Sequence, residues 1–160
     1  MTSDRGELTN PQRRLPDLAL PRAPGGEPCP LRPPGRRSPV LVLVHGAGCA
    51  ACVEYVARLE AEAGPIEEWD GRPLVVAPED LARAGGLGRR TGLPVLADPE
   101  RRLGAALSVG PPAVVVADRW GEVHEVHEAG EEHRFPEPDA VVSWLRYLAI
   151  QCPECQGEAF

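Results

Sequence analysis

The stretch Pro39–Cys52, PVLVLVHGAGCAAC, holds two patterns of residues that do chemistry elsewhere. His45-Gly46-Ala47-Gly48 after an apolar run looks like a backbone loop that stabilises an oxyanion in acyl transfer. Cys49-Ala50-Ala51-Cys52 has the spacing of a dithiol: one sulfur attacks a disulfide, and the second, one helical turn on, resolves the mixed disulfide. A third pattern, Cys152-Pro153-Glu154-Cys155, lies far downstream. That spacing suits a second dithiol, or one knuckle of a zinc site, since two such turns supply four thiolates.

Acyl transfer needs a nucleophile. The serines are Ser3, Ser38, Ser108 and Ser143, and none stands in a Gly-x-Ser-x-Gly elbow, so the hydrolase reading fails. All 17 basic residues are arginine, which excludes Schiff-base and lysine-base chemistry because both need an amine that can lose its proton. A formal net charge of −7 argues against a nucleic-acid partner, since phosphate recognition rests on clustered positive charge. The first 20 residues contain no apolar core of signal-peptide length, and no apolar run is long enough to span a bilayer. A cytoplasmic location without membrane association is therefore expected. There, five cysteines fit redox catalysis or metal binding better than structural disulfides.

The elements that must position the dithiol follow from the apolar period. Residues 1–39 are dense in Pro, Gly and Arg and read as an extended arm with an edge strand near Leu18–Leu20 and a free thiol at Cys29. Val40–Val44 is apolar at every position, the mark of a strand buried on both faces. Ala50–Ala63 has a helical period through Val53, Val56 and Leu59, with Gly64-Pro65 as its stop. Cys49 would then sit at a helix N-terminus, where unpaired N–H groups stabilise a thiolate. Short strands are expected at Leu74–Ala77 and Leu93–Ala97, with a helix over Glu79–Arg90 between them. Asp98-Pro99 reads as an N-cap with proline at the first helical position, opening a helix to about Leu107. Ala113–Ala117 is a strong strand, Asp118-Arg-Trp-Gly-Glu a hairpin turn, Val123–Glu128 its partner strand, and Pro138 opens a last helix. The alternation predicts an α/β domain over 40–150, a mixed sheet flanked by helices, with a tail over 151–160.

Two of these segments, VLVLVHGAGCAAC with its helix and GPPAVVVADRWGEV, resemble the thioredoxin-like redoxins: the thiol-disulfide oxidoreductases and their relatives the peroxiredoxins. The resemblance implies a thioredoxin-like fold, Cys49 as attacking thiol and Cys52 as resolving thiol. It also implies a cis-proline facing the dithiol at the start of a strand that runs into Asp-x-x-Gly. Counting back from Asp118 and Gly121, that position is Pro112. It implies disulfide or thiol substrates, protein or small-molecule, a reductase as electron donor, and no cofactor.

The chain departs from the thioredoxin pattern at Gly48, where tryptophan is usual, and at Ala50-Ala51. It lacks the peroxiredoxin motif Pro-x-x-x-Thr-x-x-Cys, and His124 stands where those proteins carry a peroxide-activating arginine, so thiol peroxidase activity is the alternative within the fold. His45 reads either as an auxiliary group that orients or deprotonates Cys49, or as an ordinary strand-end residue. His124, His127 and His133 read as a solvated acidic strand face. Cys152 and Cys155 are open to three readings: an auxiliary redox pair, zinc ligands shared across a dimer, or an exposed disulfide-forming pair. A non-catalytic zinc-stabilised binding module is the alternative from another class.

Overall fold

The computed structural model describes residues 13–32, 35 and 37–151. The uninterrupted apolar run at 40–44 has to bury both of its faces, and it does so at the centre of the sheet as β3 (Ser38–Leu43). Alternation sorts its side chains. Val40, Val42 and Val44 enter one apolar layer, and Leu41 and Leu43 enter the layer on the opposite face.

β3 pairs in parallel with β4 (Gly71–Ala77), which pairs in parallel with β5 (Val95–Ala97). On its other side β3 meets β6 (Ala113–Ala117) antiparallel, and β6 meets β7 (Val123–Glu128) antiparallel. The first face is covered by α1 (Ala50–Ala61), α2 (Ala63–Glu68), α3 (Leu81–Gly88) and α5 (Pro138–Ile150), through Tyr55, Val56, Leu59, Ile66, Leu87, Val141 and Leu145. The second face is covered by α4 (Arg102–Leu107), through Leu103 and Leu107. Among the described residues this makes the mixed sheet flanked by helices that the element alternation predicts.

Four expectations need correction. The N-terminal segment is not merely an arm with one edge strand. β1 (Ala19–Ala23) and β2 (Glu27–Pro30) form a hairpin that joins the sheet through β5, giving the order β2-β1-β5-β4-β3-β6-β7. Its apolar residues are too sparse to show a period, yet Leu15, Leu20, Cys29 and Leu31 are all buried against the second face. The folded unit therefore begins well before residue 40. Cys29 is correspondingly a buried thiol, approached by the Arg72 guanidinium at 3.6 Å.

The helix after the dithiol ends at Ala61, with Glu62 as its C-cap, rather than at Gly64-Pro65. Pro65 instead lies in the first turn of α2, where the N–H it lacks would have no helical partner in any case. α3 begins at Leu81, because the Asp80 carboxylate caps it by accepting from the Arg83 amide at 2.9 Å. Asp98 does serve α4, accepting from the Arg102 and Leu103 amides at 2.9 and 3.0 Å. It does so across a turn, so the helix starts at Arg102 and Pro99 stays outside it.

Gly71, at the head of β4, tests how tightly the first layer is packed. A Cβ there would lie 2.5 Å from Leu145 Cδ1 and 2.7 Å from Ile66 Cγ2, with the Ile66 carbonyl at 3.0 Å. Backbone on one side leaves no room to yield, so Gly71→Ala is expected to destabilise the protein by about 1–3 kcal/mol. Urea unfolding measures this. An unchanged midpoint would mean that α2 and α5 are not seated on β4 as described.

Candidate active site

The site lies where β3 ends and α1 begins. His45 follows the strand, Gly46–Gly48 turn the chain, and Cys49 is the N-cap of α1, its amide donating to the Gly46 carbonyl at 3.1 Å. A carboxylate from the loop after β4 fastens this turn: Glu79 Oε1 accepts from the Ala47 amide at 3.1 Å. α1 then places the two cysteines in different environments. Cys49 is half-buried, whereas Cys52, one turn inside, is fully buried in the first apolar layer. Both are thiols. Burial pushes the Cys52 thiol up to about 11, against the opposing effect of the His45 amide, which donates to Cys52 Sγ at 3.2 Å.

A residue read as part of a solvated strand face completes the site. His133 Nε2 stands 3.4 Å from Cys49 Sγ. Its other ring nitrogen, Nδ1, is 3.0 Å from the Glu131 carbonyl oxygen. A carbonyl only accepts, so Nδ1 carries a proton, and in the neutral ring Nε2 is the bare nitrogen that faces the thiol. In that protonation state the S–H of Cys49 donates to Nε2. Should that proton cross, the imidazolium still has a partner at each nitrogen.

The loop carrying His133 is built for this placement. Ala129 donates to the Pro112 carbonyl at 2.8 Å, Arg134 to the Ala129 carbonyl at 3.0 Å, and the His127 ring to the Arg134 carbonyl at 2.7 Å. Phe135 stacks on Tyr55 of α1, with centroids 4.2 Å apart. Within this frame His133 has φ +57°, a left-handed conformation uncommon for a residue other than glycine. A strained backbone held by several hydrogen bonds and a ring stack, delivering one imidazole to one sulfur, is the pattern of a functional position.

The other residues singled out in the sequence are placed as follows. His45 is exposed, and its ring meets that of His133 edge-on at 5.6 Å. The Pro111–Pro112 peptide is cis, and Pro112 leads into β6, whose first residue Ala113 pairs with Leu43 at the end of β3. Cys152 and Cys155 lie outside the described residues. His133 carried no local signal: it is 84 residues from Cys49, in a run of charged residues with no periodicity.

His124 belongs to the β6–β7 turn. Asp118 accepts from the Trp120 and Glu122 amides at 2.9 Å each and from His124 Nε2 at 3.0 Å, while Gly121 supplies the positive φ of +92°. Burial opposes the charged Asp118 carboxylate, but the His124 ring and the two amides outweigh it and hold the group below its ordinary value. The bond to Asp118 raises His124, against partial desolvation.

The signs give a window. The Asp118 contribution is present above its unfolded value near 3.8 and is lost as pH falls through the depressed folded value. The His124 contribution is full below its unfolded value near 6.5 and is lost as pH rises through the raised folded value. Relative to His124→Gln, the protein should thus be stabilised most between about pH 4 and 6.5, by no more than about 1 kcal/mol at this partly exposed site. Thermal midpoints across pH 4–9 check this. A constant difference over the whole range would rule the ion pair out.

No protein-family model matches the chain, and no curated protein matches it. Solved structures do. The bacterioferritin comigratory protein of Xanthomonas campestris, described for its alkyl peroxide reduction activity, superposes with a TM-score of 0.73 at 16% identity, covering 84% of this chain and 96% of its own. Peroxidoxin BcpB of Mycobacterium tuberculosis gives 0.73 at 18%, covering 87% and 96%. A protein of Chlorobium tepidum described as a candidate thiol:disulfide interchange protein DsbE gives 0.68 at 18%, covering 89% and 99%. These likenesses concern architecture, and with the strand order described above they establish that this chain has the thioredoxin-like α/β fold shared with the redoxins.

Proposed function

We propose that the protein is a thiol-disulfide oxidoreductase in which Cys49 attacks and Cys52 resolves. The observation that carries this reading is the approach of His133 Nε2 to a half-buried Cys49 at a helix N-cap, with a buried second thiol one turn behind it. His133 accepts the Cys49 proton, and the thiolate attacks a disulfide sulfur of the substrate. The S–S bond breaks, and the departing thiolate is protonated. Cys52, protonated at neutral pH because it is buried, gives up its proton as its sulfur attacks Cys49 and expels the second substrate thiol. Two electrons and two protons pass from the dithiol to the substrate, leaving a Cys49–Cys52 disulfide that a reductase must reduce. In this reading Pro112, entering β6 beside the end of β3, shapes the groove for the substrate chain.

The test is thiol counting under anaerobic conditions while a chromogenic aromatic disulfide is added to reduced, metal-free protein. Thiols should be lost in pairs, one of them Cys49 with Cys52. Cys49→Ser should abolish that pair, and Cys152→Ser should leave it intact. Loss of single thiols, or as many pairs lost in Cys49→Ser as in the wild type, would overturn the assignment. The fold likeness to peroxide-reducing proteins favours a second reading, in which Cys49 reduces a hydroperoxide by way of a sulfenic acid that Cys52 condenses to the disulfide. Hydroperoxide consumption, measured in parallel with disulfide exchange, separates the two.

A further inference from the structure

We propose that His45, Cys49 and His133 form a redox-gated binding site for a thiophilic d10 metal ion, Zn(II) or Cu(I). One donor atom from each residue lies within 4.8 Å of the other two. The spacing suits a shared ion: with metal–sulfur and metal–nitrogen bonds of about 2.3 and 2.05 Å in a tetrahedral site, sulfur and nitrogen stand about 3.5 Å apart. Cys49 Sγ and His133 Nε2 are separated by 3.4 Å.

A second, independent feature points the same way. The Glu131 carbonyl accepts a hydrogen bond from the Nδ1–H of His133 at 3.0 Å, which is how metal-ligating histidines are held in orientation with the other nitrogen left for the ion. The edge-on meeting of the His45 and His133 rings at 5.6 Å brings a second imidazole to the same sulfur. One thiolate with two imidazoles selects ions that accept both soft and borderline donors, which zinc and cuprous copper do and magnesium and calcium do not. Three protein ligands with an exposed His45 leave the fourth position open, so the site exchanges its ion rather than building the fold around it.

Cys49 is also the proposed nucleophile, so the two uses exclude one another, and the gating clause rests on the oxidoreductase reading. When an incoming disulfide takes two electrons from the Cys49 thiolate and the Cys52 thiol and leaves as two thiols, with one proton from Cys52 and one from water, the thiolate ligand is consumed and the ion is released.

The full chain, reduced and stripped of metal under anaerobic conditions, is titrated separately with Zn(II) and Cu(I) against a chromophoric chelator for each. One ion per chain is expected. Affinity should fall more than about 100-fold in His45→Ala and in His133→Asn, beyond the roughly 10- to 100-fold that loss of an outer hydrogen bond costs. Binding should disappear in Cys49→Ser and in disulfide-oxidised protein, and persist when Cys152 and Cys155 are both replaced by serine. His133→Asn suits the left-handed backbone, and each variant is used only if it unfolds at the wild-type temperature. Which ion binds more tightly decides between zinc and copper. Affinity unchanged in both histidine variants, or binding that follows Cys152 and Cys155, overturns the site. Disulfide exchange is measured on the same metal-free preparations. Exchange without metal binding refutes only the metal site, and metal binding without exchange refutes the oxidoreductase reading together with the gating.

Discussion

Cys49→Ser is expected to slow disulfide exchange by about three orders of magnitude or more, because a serine hydroxyl is far less nucleophilic than a thiolate and the remaining thiol of the pair is fully buried. Cys52→Ala should behave differently. It keeps the apolar character of a position with 0% exposure, so the first attack by Cys49 proceeds and the chain accumulates as a mixed disulfide with its substrate. Stopped-flow absorbance with the chromogenic disulfide gives the rate, and intact mass gives the adduct. The asymmetry is the informative part. Burial pushes the Cys52 thiol up to about 11, so it is a poor first attacker and depends on a neighbouring sulfur already engaged in a mixed disulfide. An adduct on Cys52 in the Cys49→Ser chain, formed as fast as the adduct on Cys49 in the Cys52→Ala chain, would reverse the assignment.

His133→Asn is expected to lower the rate constant of the first attack about 100-fold, at the lower end of what general acid–base groups contribute. Asparagine tolerates the left-handed backbone that His133 adopts, so the loop held by the Tyr55–Phe135 stack should keep its place. What is lost is a nitrogen that can hold the Cys49 proton. A merely structural role predicts a different result: a lower unfolding temperature with little change in rate. The decisive reading is therefore the pH profile of the rate at constant stability. Loss of one ionisation from the wild-type profile supports proton transfer to His133, and an unchanged profile at an unchanged rate removes His133 from the mechanism.

Part of the site was legible from residues alone because its logic is local. An apolar strand, a glycine-containing turn and Cys-x-x-Cys on a helical period lie within one contiguous stretch, and the strand-to-helix passage that puts Cys49 at a helix start is written in the change of period after Val44. The expected strands appear over Ala113–Ala117 and Val123–Glu128, and the last helix opens at Pro138, because each has a clear period or a sharp punctuating residue. Where punctuation was ambiguous the boundaries moved. Gly64-Pro65 stops a helix in one register and opens one in another, and only the packing of Ile66 and Leu145 around Gly71 decides between them.

The N-terminal hairpin was hidden for a related reason. Its strands carry prolines and few apolar residues, and their burial comes from docking at the sheet edge beside β5 rather than from a pattern of their own. Gly26, with φ +91°, permits the turn, but a glycine among so many does not announce one.

By itself the sequence determined the dithiol, the strand and helix that flank it, the absence of lysine chemistry and the α/β alternation, because composition, period and spacing act over one or two turns of chain. The tertiary structure alone decided that Cys52 is sealed in an apolar layer, that Glu79 fastens the turn before Cys49, and that a histidine 84 residues away meets the Cys49 sulfur. Those contacts form only after distant loops close on a finished sheet. The free energy that holds them comes from packing and hydrogen bonds across the fold, which leave no periodic trace in the chain.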